Sequence, residues 1–454
     1  DGDLLMVWDG ARAGLSGKAR KGAVGSTLMK IEEVKGIEKQ YLSYFLLSLY
    51  TKINTNPRGV GIPHVEPRIL WYSKLLIVSS PIQRAIVSKI EALFSDLDNG
   101  IANFKKAQEQ LKIYRQAVLK KAFEGELTKE WRTLRQAQGT PIPTAEELLK
   151  QIKEERQNRY NQQVEDWKKA VKEWEKNEKK GSKPSRISKP KEVTDVKESD
   201  IENYEILPNS WKWSRFGNVT YKIGDIDHKM PKTVENGYPY LSTGNLNDDG
   251  TIDFSGAKTI SKEDFDRLAL KIKPEKGDII FPRYGTIGRN ILIDFDREFL
   301  VSYSCAIIKN ITSLMSSKYA LYYSLSPVIK KEIKRYTVET TQANIGIASI
   351  ENFVFPLCST QEQTQIVQEI ERRLSVCDKM EQSLKESIEK AEALRQSILK
   401  KAFEGRLLSV AEIEQCKKAA DYEPASELLK KITNEKLRIT NEKSKVISKQ
   451  KSKK

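Results

Sequence analysis

Arg115-Gln116-Ala117-Val118-Leu119-Lys120-Lys121-Ala122-Phe123-Glu124-Gly125 returns as Arg395-Gln396-Ser397-Ile398-Leu399-Lys400-Lys401-Ala402-Phe403-Glu404-Gly405, displaced by 280 residues. At the same displacement, residues 79–127 match residues 359–407 at 20 of 49 positions, where unrelated segments agree at about three. Gly2-Asp3-Leu4-Leu5 pairs with Gly277-Asp278-Ile279-Ile280, displaced by 275. The chain is therefore read as two halves, each a mixed domain followed by a long helix.

Periodicity identifies the helices. Ile86, Ile90, Phe94, Leu97, Ile101, Phe104, Leu111, Val118 and Ala122 recur mostly in steps of four and three, interrupted by Gln108 and Arg115. The second copy gives Ile366, Ile370, Leu374, Cys377, Leu384, Ile388, Ala391, Ile398 and Ala402, interrupted by Glu381 and Arg395. A repeat near 3.5 residues draws a narrow apolar seam, as in a coiled coil. A helix of about 43 residues reaches roughly 65 Å. Gly125 and Gly405 supply natural stops. Two equivalent seams predict that the helices pack on each other, antiparallel if a pseudo-twofold axis relates the halves.

Between the halves, residues 128–202 are rich in Lys, Glu and Gln and broken by Pro141, Pro143, Pro184 and Pro190. One exposed helix is expected near 144–180, around Trp167 and Trp174, and a flexible linker over Lys183–Ser199. Leu207-Pro208-Asn209-Ser210-Trp211-Lys212-Trp213 reads as the start of the second mixed domain. Strands are expected at Tyr238–Leu241, Asp278–Phe281, Ile291–Asp294 and Ala306–Lys309, with a helical pattern over Lys318–Tyr336. Glu38–Lys52 is the corresponding helix of the first domain. The fold class is α+β.

The 454 residues carry a net charge of +16, which suggests a polyanionic partner. Much of it sits in the tail. Residues 430–454 hold ten basic and two acidic side chains, whereas residues 203–356 hold 20 and 18. DNA binding by that domain must therefore rest on local arrangement. Cys305, Cys358, Cys377 and Cys416 lie far apart, and His64 and His228 are the only histidines. That spacing offers no zinc site and fits a cytoplasmic protein with free thiols. No apolar run is long enough to span a membrane. Gly285-Thr286-Ile287-Gly288-Arg289 lacks the phosphate-loop spacing and its Lys. Asp294 and Asp296 read as surface turn residues. His64 and His228 show no triad partners, so no catalytic set is evident.

Three polar segments stand out. Tyr240, Ser242, Thr243 and Asn245 surround Gly244; Arg283, Tyr284, Thr286 and Arg289 flank a glycine-rich turn; Thr340, Gln342 and Asn344 form an amide- and hydroxyl-rich run. Arg can pair with guanine, Asn or Gln with adenine, and hydroxyls and glycine amides suit phosphate. The competing reading is ordinary turn chemistry with solvated charges.

The repeat, the Leu-Lys-Lys-Ala-Phe-Glu-Gly helix ends, the Leu207–Trp211 start, the Gly277–Ile280 strand, Thr340–Asn344 and Gln361-Glu362-Gln363 together resemble the specificity subunit of type I restriction–modification enzymes. The resemblance implies two target-recognition domains, each reading part of a split DNA site, held apart by two antiparallel helices. It implies double-stranded DNA, two methyltransferase subunits and motor-nuclease subunits as partners, with no membrane. It implies no cofactor in this chain; S-adenosylmethionine, ATP and Mg belong to the partners. It also implies no catalysis here.

Gly277 lies 70 residues after Leu207, but Gly2 is almost at the start. Roughly 70 residues of the first recognition domain are therefore expected to be absent. The expected order is the rest of that domain (1–78), first spacer helix (79–127), charged helix and linker (128–202), second recognition domain (203–357), second spacer helix (358–409) and basic tail (410–454). Phe123 and Phe403 are candidate methyltransferase contacts, or caps on the helix core. The main alternative function is a coiled-coil adaptor with degenerate recognition domains and no DNA target.

Overall fold

The computed structural model describes residues 2–59, 61–180, 183–186, 189–285, 287–337 and 344–436. Ser80–Phe123 and Thr360–Phe403 are helices of 44 residues each, about 66 Å long. Gly125 and Gly405 follow them at φ 79° and 73°, the left-handed region that stops a helix and favours glycine. The fold is α+β, as expected.

Two compact units emerge: residues 1–109 with 381–454, and residues 110–380. This differs from the sequential order of domains, because each unit takes part of both long helices. What the helix ends cover explains it. In the unit of residues 110–380, Phe123 is fully buried. Its ring lies 5.1 Å from Tyr319 and 5.8 Å from Tyr323. In the other unit, Phe403 lies 5.1 Å from Tyr41 and 5.4 Å from Phe45. Tyr41 and Phe45 correspond to Tyr319 and Tyr323 at a displacement of 278. The Tyr41 hydroxyl donates to Leu76 O at 2.9 Å and the Tyr319 hydroxyl to Pro356 O at 2.7 Å. Each repeated helix end is thus a seat for the mixed domain encoded in the other half.

Ion pairs give the helix direction within each unit. Asp98, Lys89 and Arg84 meet Arg395, Glu412 and Asp421 respectively, so one chain descends as the other rises. The Lys89 hydrogen bond holds the Glu412 carboxyl down to about 2. In residues 110–380, Arg115 meets Asp378 at 2.7 Å and Arg132 meets Glu362 at 2.5 Å. The pairing is antiparallel in both. Arg115–Asp378 and Arg395–Asp98 are the same two repeat positions with the copies exchanged. The seam is buried at Ile86, Ile90, Val118 and Ala122, but half-buried at Phe94, Leu97, Ile101 and Phe104. Mixed domains cover the ends, and Phe94 still meets Tyr44 edge-on with ring centroids 5.8 Å apart.

Gln83 and Gln363, equivalent in the repeat, are both fully buried. Gln83 Oε1 accepts from Glu38 N at 2.8 Å, and Gln363 Oε1 from Ser316 N at 2.9 Å. Their amide groups donate to Val78 O and Cys358 O. Each therefore satisfies the N–H of the capping residue just before a domain helix, Lys39–Ser48 or Ser317–Ser324. Gln363→Leu should strand these groups and cost about 1–3 kcal/mol. Urea unfolding reads this directly; a change within error would show that the amide is dispensable.

In the second mixed domain the central sheet runs Lys222–Gly224, Cys305–Lys309, Ile279–Pro282, Ile291–Leu292, all antiparallel. Leu300–Val301 pairs in parallel with Thr233–Leu241. Lys212–Arg215 pairs with Val354–Leu357. The Lys318–Tyr336 pattern resolves into two helices, Ser317–Ser324 and Pro327–Tyr336, because Pro327 cannot donate to a continuing turn. The charged helix spans Ala145–Lys176, opened by a Thr144–Glu147 capping box.

Part of the expected linker is fixed rather than free. Asn218 holds Val193 by two hydrogen bonds at 2.9 Å, and Arg156 donates to Lys191 O at 3.1 Å.

The first mixed domain has a three-stranded antiparallel sheet, Ser16–Lys18, Leu4–Val7, Leu28–Ile31. The tail packs as far as it is described. Val410–Lys417 is a helix, 425–436 is helical, and Leu428 is buried. Residues 437–454 lie outside the described residues.

Candidate nucleic-acid interface

The central strand Cys305–Lys309 is antiparallel to both neighbours, so its start meets the ends of Lys222–Gly224 and Ile279–Pro282 on one sheet edge. Loops 225–232 and 302–304, with residues 283–285 and 287–290, gather there. Ser302 N donates to Leu241 O at 2.7 Å, which brings the 242–245 turn to the same edge. Tyr284 and Asn344 form an antiparallel bridge, and Ile345 N donates to Arg283 O at 3.1 Å. Arg289 reaches Asp248 at 3.1 Å. The described residues of the first two polar segments, and Asn344 of the third, are therefore assembled on one edge, a usual place for binding residues on a rigid scaffold.

Their side chains divide by burial. Arg283 is 4% exposed. It donates to Asp225 Oδ2 at 2.7 Å, Tyr303 O at 2.9 Å and Ile345 O at 3.0 Å. It locks loops together and does not present a fork to a base. Tyr240 is core, and burial pushes its hydroxyl up to about 12. Asn245 is buried; it accepts from Ser242 N and donates to Asp253 O, capping its own turn. These three expectations of DNA contact are corrected: Arg283 and Asn245 spend polar groups inside the fold, and the Tyr240 hydroxyl is buried away from the surface.

Phe123 is likewise buried beyond reach of a partner protein. Phe403 is half-buried and committed to Tyr41 and Phe45. Tyr284, Thr243 and Arg289 remain half-buried, Ser242 and Asn344 exposed. Thr286, Thr340 and Gln342 lie outside the described residues.

The sequence reading missed four residues here. His228 stacks on Tyr303 with ring centroids 4.7 Å apart, and 63% of its side chain is exposed. Asp225, beneath them, is bound by Arg283, by Lys271 Nζ at 3.3 Å and by His228 Nε2 at 3.3 Å. Lys229 is exposed on the same loop. The surface thus offers a stacked aromatic pair, Tyr284 edge-on to Tyr303 at 6.2 Å, an exposed amide and cations. Such groups suit base edges, base faces and phosphates. The only signal in the sequence was Gly224-Asp225 after a strand too short to show alternation.

The other unit repeats the edge. The turn after Leu4–Val7 begins at Asp9, which bridges His64 as Tyr284 bridges Asn344. Val65 N donates to Trp8 O at 2.9 Å, at the repeat positions of Ile345 and Arg283. Gly10 and Gly285 take φ of 101° and 69° at equivalent places.

Among the described residues no group of three or more His, Cys, Asp and Glu could hold a metal, and no helix is long and apolar enough to cross a membrane. Cys305, Cys358, Cys377 and Cys416 are free thiols.

Residues 208–390 match the family model described as type I restriction modification DNA specificity domain. The chain is 22% identical over 438 residues to the type I restriction enzyme EcoBI specificity subunit of Escherichia coli, covering 95% of this chain and 79% of that one. It is 24% identical to the type I restriction enzyme MjaVIII specificity subunit of Methanocaldococcus jannaschii, covering 86% and 76%. The fold is similar to a chain in a solved structure concerned with complex assembly and conformational transition of the type I R-M system. The TM-score is 0.53 at 17% identity, covering 89% of this chain and 82% of that one.

Proposed function

We propose that this chain, similar along nearly its whole length to type I specificity subunits, is the DNA-recognition subunit of a type I restriction–modification complex. The observation that carries the reading is the duplicated strand-end edge, one in each unit, built on the same backbone hydrogen bonds with different side chains. Two edges of one backbone design and unlike chemistry suit a target with two unlike half-sites. The chain's part is recognition. Two methyltransferase subunits and the motor-nuclease subunits, using S-adenosylmethionine, ATP and Mg, would supply the chemistry, with the paired helices as docking surface. Lys120 and Lys121 are exposed there beside the buried Phe123.

The test is selection from a randomised duplex library with the full chain. A two-part site should be enriched, and affinity should fall steeply with salt as phosphate contacts release counterions. Binding that ignores sequence, or none, would favour the coiled-coil adaptor instead.

A further inference from the structure

The two edges share a backbone and differ in side-chain chemistry, above all at one bridged pair. Tyr284 and Asn344 in one unit are Asp9 and His64 in the other. His64 Nδ1 lies 2.5 Å from Asp9 Oδ1, so the carboxylate accepts the Nδ1 proton. The His64 backbone is fixed by Arg58, with which it exchanges hydrogen bonds at 2.9 and 3.0 Å. The imidazole remains 45% exposed. Among the described residues no hydrogen-bond partner reaches its Nε2. A bond to one ring nitrogen sets the role of the other. With the proton held at Nδ1, a neutral ring presents the Nε2 lone pair outward as an acceptor. A half-exposed pair of this kind adds little stability, so folding alone gives weak reason for it. Arg12 and Arg58 are exposed close by in sequence and suit phosphate.

We propose that Asp9 and His64 form a base-reading element of this edge, in which His64 Nε2 accepts a hydrogen bond from the exocyclic amine of adenine or cytosine in the major groove. His64 touches the base and Asp9 positions it. The inference rests on the DNA-recognition reading above and deepens it. One half-site is read at this position by an imidazole acceptor, and the other by Tyr284 and Asn344.

Three full-length proteins decide it by selection from one randomised duplex library: wild type, His64→Ala and Asp9→Asn. His64→Ala should lose about tenfold discrimination at a single base pair, with other positions and the melting temperature unchanged. In Asp9→Asn the amide can donate to Nδ1, which moves the ring proton to Nε2 and makes it a donor. Preference at that same base pair should turn toward guanine or thymine, whose major-groove edges accept. A merely structural pair would not move one position in opposite senses. Unchanged preference in either variant, or changes at different positions, overturns the assignment. Failure of wild type to enrich any sequence overturns the DNA reading and this inference together. Enrichment by wild type with both variants unaffected overturns only the Asp9–His64 element.

Discussion

Phe123→Ala should destabilise the unit of residues 110–380 by about 3–5 kcal/mol, the cost of removing a fully buried ring and leaving its cavity. The ring sits between Tyr319 and Tyr323. Tyr319 is itself tied to Pro356 O, so the site has little freedom to collapse. Unfolding in urea, followed by the fluorescence of Trp211 and Trp213, measures the loss. Phe403→Ala should cost less, because Phe403 is half-buried. A change under 1 kcal/mol for Phe123→Ala would contradict the helix end as an intrachain seat. It would return the motif to the role of an exposed docking patch.

Arg283→Met should cost about 3–5 kcal/mol, because it leaves a buried carboxylate without its closest cation. Asp225 is 8% exposed. It keeps Lys271 and His228, each 3.3 Å away, which favours the lower end of that range. The carbonyls of Tyr303 and Ile345 also lose a donor. Adding Asp225→Asn should recover part of the loss, a coupling that a double-mutant cycle isolates. The outcome separates two roles. Lost stability with partial recovery marks a lock on the loops; unchanged stability with lost duplex binding would mark a base reader.

The repeat, both long helices and their glycine stops were legible, because 3.5-residue periodicity and duplicated helix ends are local signals. Two of the polar segments were legible because each follows a predicted strand, and Thr340–Asn344 stood out by its amide- and hydroxyl-rich composition. Which side chains turn inward was not. Arg283 and Arg289 sit on one glycine-rich turn, yet Asp225, 58 residues before Arg283, draws one into the interior. The place of His228 and Asp225 on this edge was not legible, because Lys222–Gly224 has only three residues. The carboxylate partner of His64 is Asp9, 55 residues away. The seating of Phe123 on Tyr319 and Tyr323 is equally long-range, and periodicity says nothing about it. The same holds for the linker around Val193, whose anchor is the side chain of Asn218.

The most direct test of the central claim is the affinity of the full chain for its selected duplex, measured for His228→Ala, Tyr284→Ala, Arg289→Ala and Asn344→Ala. These residues project from the strand-end edge without the buried locks that hold Arg283 and Asn245. A base-reading side chain should lose about 1–3 kcal/mol at one position of the site. A phosphate contact should weaken all sequences alike and flatten the salt dependence. Melting temperatures should stay within a degree or two. Wild-type affinity, preference and salt dependence in all four folded variants would contradict the claim that this edge meets DNA.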